Sequence, residues 1–463
     1  MTKTIATAPR AIALGVLEEI LEKDGYSHIV LKKTLSKYQD LSKQDRAFIT
    51  RLVEGTIEHL ITIDYMIHCY SKTKINKMKP VIRNVLRMSV YQMKYMTQVP
   101  NSAICNEAVK LVKKRGLQGL SGFVNGILRT MIREPERIKF PNPNKNKLQY
   151  LSVFYSMPEW IIEVIKNQYD WEVVENTLKE FVNVKGTSIR CNTNKVSTIE
   201  LKRILEEENV TVEENPYLEE AFYISNYNYL LDLKSFQKGY FQVQDTASML
   251  VAHCAGIKKD DFIVDVCAAP GGKSLHAACI LKDLNSKSDT SKRKGIVISR
   301  DLTEYKVGLI EENRKRLGQS NVIPQVHDAL SFDESLVNQA DIVIADLPCS
   351  GLGVIGKKPD IKYKMNKESL TELAILQRNI LDVVTQYVKP GGTLMYSTCT
   401  MNPLENEENF KYIVENLGFE PKGLNDYLPK ELQCDETQKG YLRLLPGKHG
   451  CDGFFISRLV KKI

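Results

Sequence analysis

The sequence predicts a multidomain chain: an all-α bundle, then a small α+β unit, then an α/β domain on a mostly parallel sheet. Three observations carry this. The length of 463 residues exceeds what one ordinary hydrophobic core organises. Up to about residue 140, apolar residues recur at helical spacing with no strand-like alternation. From about residue 240, apolar strand-like runs alternate with helical ones, as in a parallel sheet covered on both faces.

In the first region, Leu14, Leu17 and Leu21 form one helical stripe, and Ile82, Leu86, Val90 and Met93 form another. Arg83, Arg87 and Lys94 are expected on the opposite face of that second helix. Asn106–Lys114 and Phe123–Arg133 continue helical, so a compact bundle is expected. Pro135 and Pro141-Asn-Pro-Asn-Lys-Asn146 read as a linker. In the middle region a helix begins at Pro158-Glu-Trp. Ser188-Ile-Arg-Cys-Asn192 reads as a strand, Ile199–Glu208 as a helix and Phe222-Tyr-Ile-Ser225 as a strand. In the last region, strands are expected at 262–266, 295–299, 321–326, 341–346, 392–397 and 453–460. Helices are expected at Tyr305–Leu317 and Ser369–Tyr387. Asn285–Lys294 is a polar, basic insertion expected to be a solvated loop.

Composition narrows the class. With 43% hydrophobic and 26% charged residues, the chain has the balance of a soluble globular protein. It lacks the long uncharged apolar run of a membrane span. Its first residues lack the apolar core of a secretory signal, so a cytoplasmic location is expected. Ten cysteines without CxxC pairs are expected to stay reduced, and no metal site is expected from them. The net charge of +8 is uneven: residues 1–150 hold 26 Lys and Arg against 12 Asp and Glu. That makes the first region +14 and leaves the rest at −6. A basic arm for nucleic acid and a merely Lys-rich solvated surface both account for this.

Four segments carry chemistry. Asp265-Val-Cys-Ala-Ala-Pro-Gly-Gly-Lys273 follows a strand and precedes a helix. Small residues there let backbone approach a ligand at the carboxyl edge of the sheet. Adjacent glycines fit neither the dinucleotide GxGxxG nor the P-loop pattern. Asp301 follows the second strand, where a carboxylate either accepts from a ribose diol or caps the next helix. Asp328, after the third strand, is either a contact to an exocyclic amine or a turn residue. In Asp346-Leu-Pro-Cys-Ser-Gly351, Pro348 forces the chain out of the strand and leaves acid and thiol at the edge. In Tyr396-Ser-Thr-Cys-Thr400, Cys399 follows a strand. Asn402, Pro403 and Glu405 read as an N-cap, first helical residue and capping box, which would set the thiol at a helix N-terminus and favour thiolate.

Assembled, these segments resemble the RNA cytosine-C5 methyltransferases, and more closely the bacterial 16S ribosomal RNA cytosine-C5 methyltransferase B family. The resemblance spans essentially the whole chain. It implies a NusB-like helical RNA-binding domain over 1–140 and a small RNA-recognition-like domain over 150–240. It also implies a class I, Rossmann-like methyltransferase domain over 241–463, opening at Phe241-Gln-Val-Gln-Asp-Thr-Ala-Ser248. Its specific mark is the pair Pro-Cys-Ser-Gly at 348–351 and Ser-Thr-Cys-Thr at 397–400. The resemblance makes Cys399 the nucleophile, Cys349 an aid to product release and Asp346 the group on the base. It gives cofactor contacts to Cys267, Ala268, Ala269, Pro270, Gly271, Gly272, Lys273, Asp301, Asp328 and Asp346. The implied cofactor is S-adenosyl-L-methionine and the implied partner is 16S rRNA, with no DNA or membrane and a monomeric protein. Leu347 stands where the family more often has a small residue, and Arg300 before Asp301 is unusual. The rival readings are an RNA-binding, antitermination-like protein with a degenerate methyltransferase domain, and methylation of another RNA such as tRNA. A third is thiol-independent methylation of an exocyclic nitrogen or of protein.

Overall fold

A computed structural model describes residues 8–38, 40–183, 186–286 and 295–463; most of the basic insertion expected at Asn285–Lys294 lies outside them. The chain forms two compact units, Met1–Val182 with Ile355–Lys364, and Asn183–Val354 with Met365–Ile463.

The first unit is helical: α1 (Pro9–Glu22), α2 (Ser27–Lys37), α3 (Lys43–Glu58), α4 (Leu60–His68), α5 (Pro80–Tyr95), α6 (Asn101–Lys114), α7 (Ser121–Arg133), α8 (Lys147–Phe154), α9 (Glu159–Lys166) and α10 (Trp171–Val182). Leu14 and Leu17 of α1 and Ile82, Leu86 and Val90 of α5 enter one core with Leu52, Ile57 and Leu128. The amphipathic reading of α5 needs correction at its charged face. Arg87 is buried and donates to Asp64 through Nε at 2.8 Å and Nη2 at 2.6 Å. Arg83 pairs with Glu22, and of the three only Lys94 is exposed. The helix is enclosed on more than one side, so its arginines must find carboxylates.

Ile355–Lys364, far along the chain, completes this unit. Asp360 Oδ2 accepts from Ser27 N at 2.9 Å, Lys362 Nζ donates to Glu58 O at 2.7 Å, and Lys364 Nζ donates to Asp24 O at 2.6 Å. Tyr363 packs on the helical core. Burial brings Lys362 down to about 7.

The second unit holds two sheets. Strands β1 (Thr187–Cys191), β2 (Thr211–Glu214), β3 (Ala221–Ser225) and β4 (Phe241–Val243) form an antiparallel sheet ordered β2-β3-β1-β4, and the helix Thr198–Glu207 shares its core. The larger sheet contains β5 (Phe262–Asp265), β6 (Ile296–Asp301), β7 (Val322–Val326), β8 (Ala340–Asp346), β9 (Val388–Thr398), β10 (Phe419–Pro421), β11 (Tyr441–Leu444) and β12 (Phe454–Lys461). Its order is β10-β12-β9-β8-β5-β6-β7, with β11 also on β12. The five strands from β9 to β7 run parallel, and β12 is antiparallel to β9.

Both faces are covered, which explains the near-continuous apolar strands. Ile263, Ile342, Ile344, Met395 and Ile456 pack on one side with Leu250, Leu275 and Leu281. Their neighbours Val264, Val343, Ala345, Leu394 and Phe455 pack on the other with Leu381 and Val384. This period-two division fixes the register, because a one-residue slip would exchange the two faces. The register sets Asp265 beside Ile344 and Ser299, Asp301 beside Val326, and Asp346 beside Ser397. The ends of β5, β6, β8 and β9 thereby bring their polar residues to one edge.

Candidate active site

The turn after β5 leads into the helix Gly272–Ser286. Its backbone is pinned from the neighbouring strand: Ala268 N donates to Arg300 O at 2.8 Å and Ala269 N to Asp301 Oδ2 at 2.9 Å. Gly271 has φ +98°, and a Cβ there would stand 3.0 Å from Leu275 Cδ1. Glycine meets both demands.

Asp301 is buried, and its Oδ1 accepts from Leu302 N at 2.8 Å and lies 3.0 Å from Lys306 Nζ. It does not cap the following helix: Thr303 does, accepting from Lys306 N. Arg300 does not disturb it, because its Nη2 bonds Asp333 and its Nε bonds Gln325 at 2.9 Å. Asp328 is exposed and its Oδ1 accepts from Leu330 N at 3.0 Å, a turn-forming bond, while the residue also lines the same cleft as Asp301.

Asp346 sits between two donors. Lys273 Nζ reaches its Oδ2 at 2.6 Å and Ser397 Oγ its Oδ1 at 2.8 Å. Burial alone would lower the Lys273 ammonium, but Asp346 outweighs it and the pKa is raised. Lys273 is therefore a fixed cation, and it bears electrostatically on Cys399 as well. Its Nζ also lies 5.2 Å from the centre of the Phe454 ring.

The two cysteines expected at neighbouring strand ends meet: Cys349 Sγ and Cys399 Sγ are 3.4 Å apart, both partly accessible. The bond to Cys399, and next burial, push Cys349 well above the usual thiol range. Cys349 therefore favours its protonated form, and either sulfur can donate in the bond that joins the pair. The loops that carry the two thiols are bound to each other through Ser350 Oγ and Thr400 Oγ1 at 2.7 Å.

Here one expectation fails. The helix after Cys399 starts only at Glu407, since the chain makes a turn over 402–406 and breaks at Asn406 (φ −103°, ψ −92°). Cys399 is not at a helix N-terminus, so a helix dipole does not activate it. Glu405 is no capping-box partner either. Its fully buried carboxylate accepts from Ser350 N at 2.8 Å, Ser350 Oγ at 2.5 Å, Gln377 Nε2 at 2.9 Å and Asn402 Nδ2 at 2.9 Å. It braces the Cys349 loop from behind.

Two clefts open on this edge and share Cys267, Ala269 and Asp346. One, of about 180 Å³, runs along Gln244, Asp265, Ala268, Pro270, Gly272 and Lys273. The other, of about 370 Å³, is bounded by Asp301, Asp328, Cys349, Ile380 and Cys399. Burial holds Cys267 far above the thiol range, so it is a neutral wall residue. Asp265 was not singled out by sequence. Burial raises it to about 7, its Oδ2 accepts from Ser274 Oγ at 2.5 Å, and its buried Oδ1 has no partner. Asp265 ends β5 as Asp346 ends β8, a polar residue closing an apolar strand. Nothing local in the sequence pointed to Gln244 as a cleft wall or to Glu405 as a brace of the Cys349 loop.

Known proteins share this architecture. The profile of the 16S rRNA methyltransferase RsmB/F family matches residues 253–460, and that of the NusB family matches 7–133. A probable ribosomal RNA small subunit methyltransferase B of Bacillus subtilis is 37% identical, over 98% of this chain and 99% of the relative. One from Synechocystis is 32% identical over 98% and 99%. Among solved structures, PH0851 superposes with a TM-score of 0.78 at 25% identity, covering 99% of this chain and all of its own. NSun6 from Pyrococcus horikoshii, solved with SFG, gives 0.56 at 25% identity over 66% of this chain and 98% of its own.

Proposed function

The chain belongs to the ribosomal RNA small subunit methyltransferase B family, and from that premise we propose that it methylates C5 of a cytosine in 16S rRNA with Cys399 as nucleophile. The observation that carries the reading is the 3.4 Å approach of Cys349 and Cys399 beside the Lys273–Asp346 pair. Methylation of an exocyclic nitrogen or of protein needs no thiol, and a degenerate domain needs neither.

The cofactor cleft suits S-adenosylmethionine. The orphaned Asp265 Oδ1 is available to an ammonium, and Asp301 Oδ2, engaged by one backbone N–H, keeps acceptor capacity for a ribose diol. Cys267–Lys273 would hold the cofactor through backbone, with Asp328 at the outer rim. SFG, seen with the Pyrococcus NSun6, is an analogue of this cofactor. When bound, S-adenosylmethionine supplies an electrophilic methyl group.

Cytosine C5 is a poor nucleophile until a thiolate adds to C6. Cys399 forms that bond, and the electron pair displaced from C5–C6 makes C4–C5 enamine-like, so C5 can take the methyl. Asp346 accepts the exocyclic amine and orients the ring, while Lys273 offsets negative charge building on the base. The C5 proton must then leave as the C6–sulfur bond breaks and the ring regains its double bond. Cys349 suits this step for a reason built into the pair. Its raised pKa comes first from the bond to Cys399. Once Cys399 is bonded to C6 that bond weakens, so Cys349 gives its proton to solvent more readily, and the resulting thiolate takes the C5 proton as the Cys399 sulfur leaves C6 with the bonding pair. The base must be unstacked to admit this attack.

Labelled cofactor and naked small-subunit rRNA test the reading, with bisulfite sequencing of the product. A single new 5-methylcytosine is expected. Cys349→Ala should trap a protein–RNA adduct visible on a denaturing gel. A product methylated at nitrogen would overturn the reading, and absence of an adduct with competent RNA would remove Cys349 from release.

A further inference from the structure

Away from the methylation edge, three groups from three elements converge in the second unit. Glu220 immediately precedes β3, and its backbone is fixed by Cys191 N, which donates to Glu220 O at 2.7 Å. His253 lies near the end of the helix Thr246–Cys254, and His276 in the first turns of the helix Gly272–Ser286. His253 Nε2 bonds Glu220 Oε1, and His276 Nε2 stands 3.8 Å from the same oxygen, too far for a hydrogen bond. The two imidazoles meet edge to face with centres 5.0 Å apart. One ligand atom from each of the three residues lies within 4.8 Å of the other two.

From this geometry we propose that Glu220, His253 and His276 bind a divalent transition ion of the Zn²⁺ class. The donor set is that of borderline ions, two imidazoles and a carboxylate. Bonds of about 2.0–2.2 Å require ligand atoms roughly 3.3 Å apart, so the near pair opens slightly and His276 closes in. His276 explains why the site is more than a hydrogen-bonded pair. Its side chain is 4% exposed, and its Nδ1 has no partner of normal geometry. The Met249 carbonyl bears on the ring. With Nδ1–H given to that carbonyl, Nε2 keeps its lone pair for an ion beside Glu220, the outer-sphere arrangement that metal-bound histidines use.

Two features set the character of the site. Glu220 and His253 keep side-chain exposures of 18% and 28%, so a fourth position is open to water and the ion exchanges with solvent. Arg190, fully enclosed, faces the same carboxylate and ring. Its charge opposes a cation, so binding is weaker than in a closed four-ligand zinc site. The ion would join the start of β3 to two helices, one of which begins with the cofactor-cleft residues Gly272 and Lys273. The inference does not depend on which base is methylated.

The test is titration of the chelator-treated full-length protein with Co²⁺ and then Zn²⁺. One equivalent of Co²⁺ should give visible d–d bands without a thiolate-to-metal charge-transfer band, and Zn²⁺ should displace it. His253→Gln, at a partly exposed position, should weaken binding about tenfold or more and remove the rise in Tm that Zn²⁺ gives the parent protein. Glu220→Gln should do likewise. Three results would overturn the proposal: no stoichiometric ion at about 100 µM, affinity in both variants unchanged from the parent protein, or a charge-transfer band placing the ion on the Cys349–Cys399 pair.

Discussion

The helical bundle and the carboxyl edge of the large sheet both bury charge, and they use it in opposite ways. In the bundle, Arg87 faces Asp64 and Arg83 faces Glu22, so the charges are consumed by partners within the fold. At the sheet edge, Lys273 and Asp346 are paired too, but they stand at the mouth of a cleft, and Asp265 beside them keeps an oxygen unpaired. The contrast teaches that a count of charges says little until each partner is known. The +14 over residues 1–150 is already net of such pairs, and the cations left exposed, lysines such as Lys32, Lys33, Lys113 and Lys114 among them, are the ones that can meet phosphates. Unsatisfied or shifted groups, by contrast, mark where a ligand completes the structure.

The largest effect expected is at the edge. Cys399→Ala should lower turnover by at least about 10³-fold while cofactor affinity, read by calorimetry, changes less than about twofold. Retained turnover would leave the thiol pair without a role in chemistry.

Next come the braces of the two regions. Glu405→Ala removes the acceptor of four hydrogen bonds at a fully enclosed position, with Ser350 Oγ and Gln377 Nε2 keeping second partners, and should cost about 3 kcal/mol of stability. It should also lower turnover well below the melting temperature, because it loosens the Cys349 loop. Arg87→Ala should cost about 2 kcal/mol in denaturant titrations, since Asp64 is partly hydrated. It should leave turnover per folded molecule unchanged. Equal catalytic losses in both variants would erase the distinction between the regions.

The exposed lysines give a smaller effect. Replacing Lys32, Lys33, Lys113 and Lys114, all exposed, with Glu should weaken rRNA binding about tenfold at low salt and flatten the dependence of log K on log salt. An unchanged slope would make this surface a matter of solubility alone.

The smallest effect concerns Asp265. Its pKa is raised to about 7, so near neutrality it is partly protonated. A bound ammonium favours the carboxylate, and binding below about pH 7 must therefore release a proton. Cofactor affinity should rise a few-fold from pH 6 to pH 8 and level off above that. Asp265→Asn should remove the slope; a slope that persists assigns the proton to another group. The same raised pKa works against folding stability: the unfolded carboxyl ionises near pH 4, so Asp265's contribution declines as pH climbs from about 4 to about 7.

The alternation of strand and helix from residue 240 onward was legible because both sheet faces are covered, which leaves continuous apolar runs. The edge residues were legible for the same reason, since a polar residue that ends such a run has one place to go. Side chains whose partners lie far away in sequence were not. Arg87 looked outward because Asp64 sits on another helix. Glu405 looked like a cap because its partners Ser350 and Gln377 lie far from it in sequence. Glu220, His253 and His276 share no motif spacing, and Ile355–Lys364 carried no sign that it packs among helices formed by the first 182 residues.

That last segment has a bearing on biogenesis. A helical bundle usually matures from near-neighbour contacts, soon after emerging from the ribosome. Here Ser27 N, the Glu58 carbonyl and the Asp24 carbonyl wait for Asp360, Lys362 and Lys364. At bacterial elongation speeds, roughly 5–20 residues per second, the wait after α10 is on the order of ten to forty seconds. During that interval the nascent bundle presents an unfilled seam, a natural target for chaperones, and translation stalls between residues 182 and 364 should raise its susceptibility to proteases.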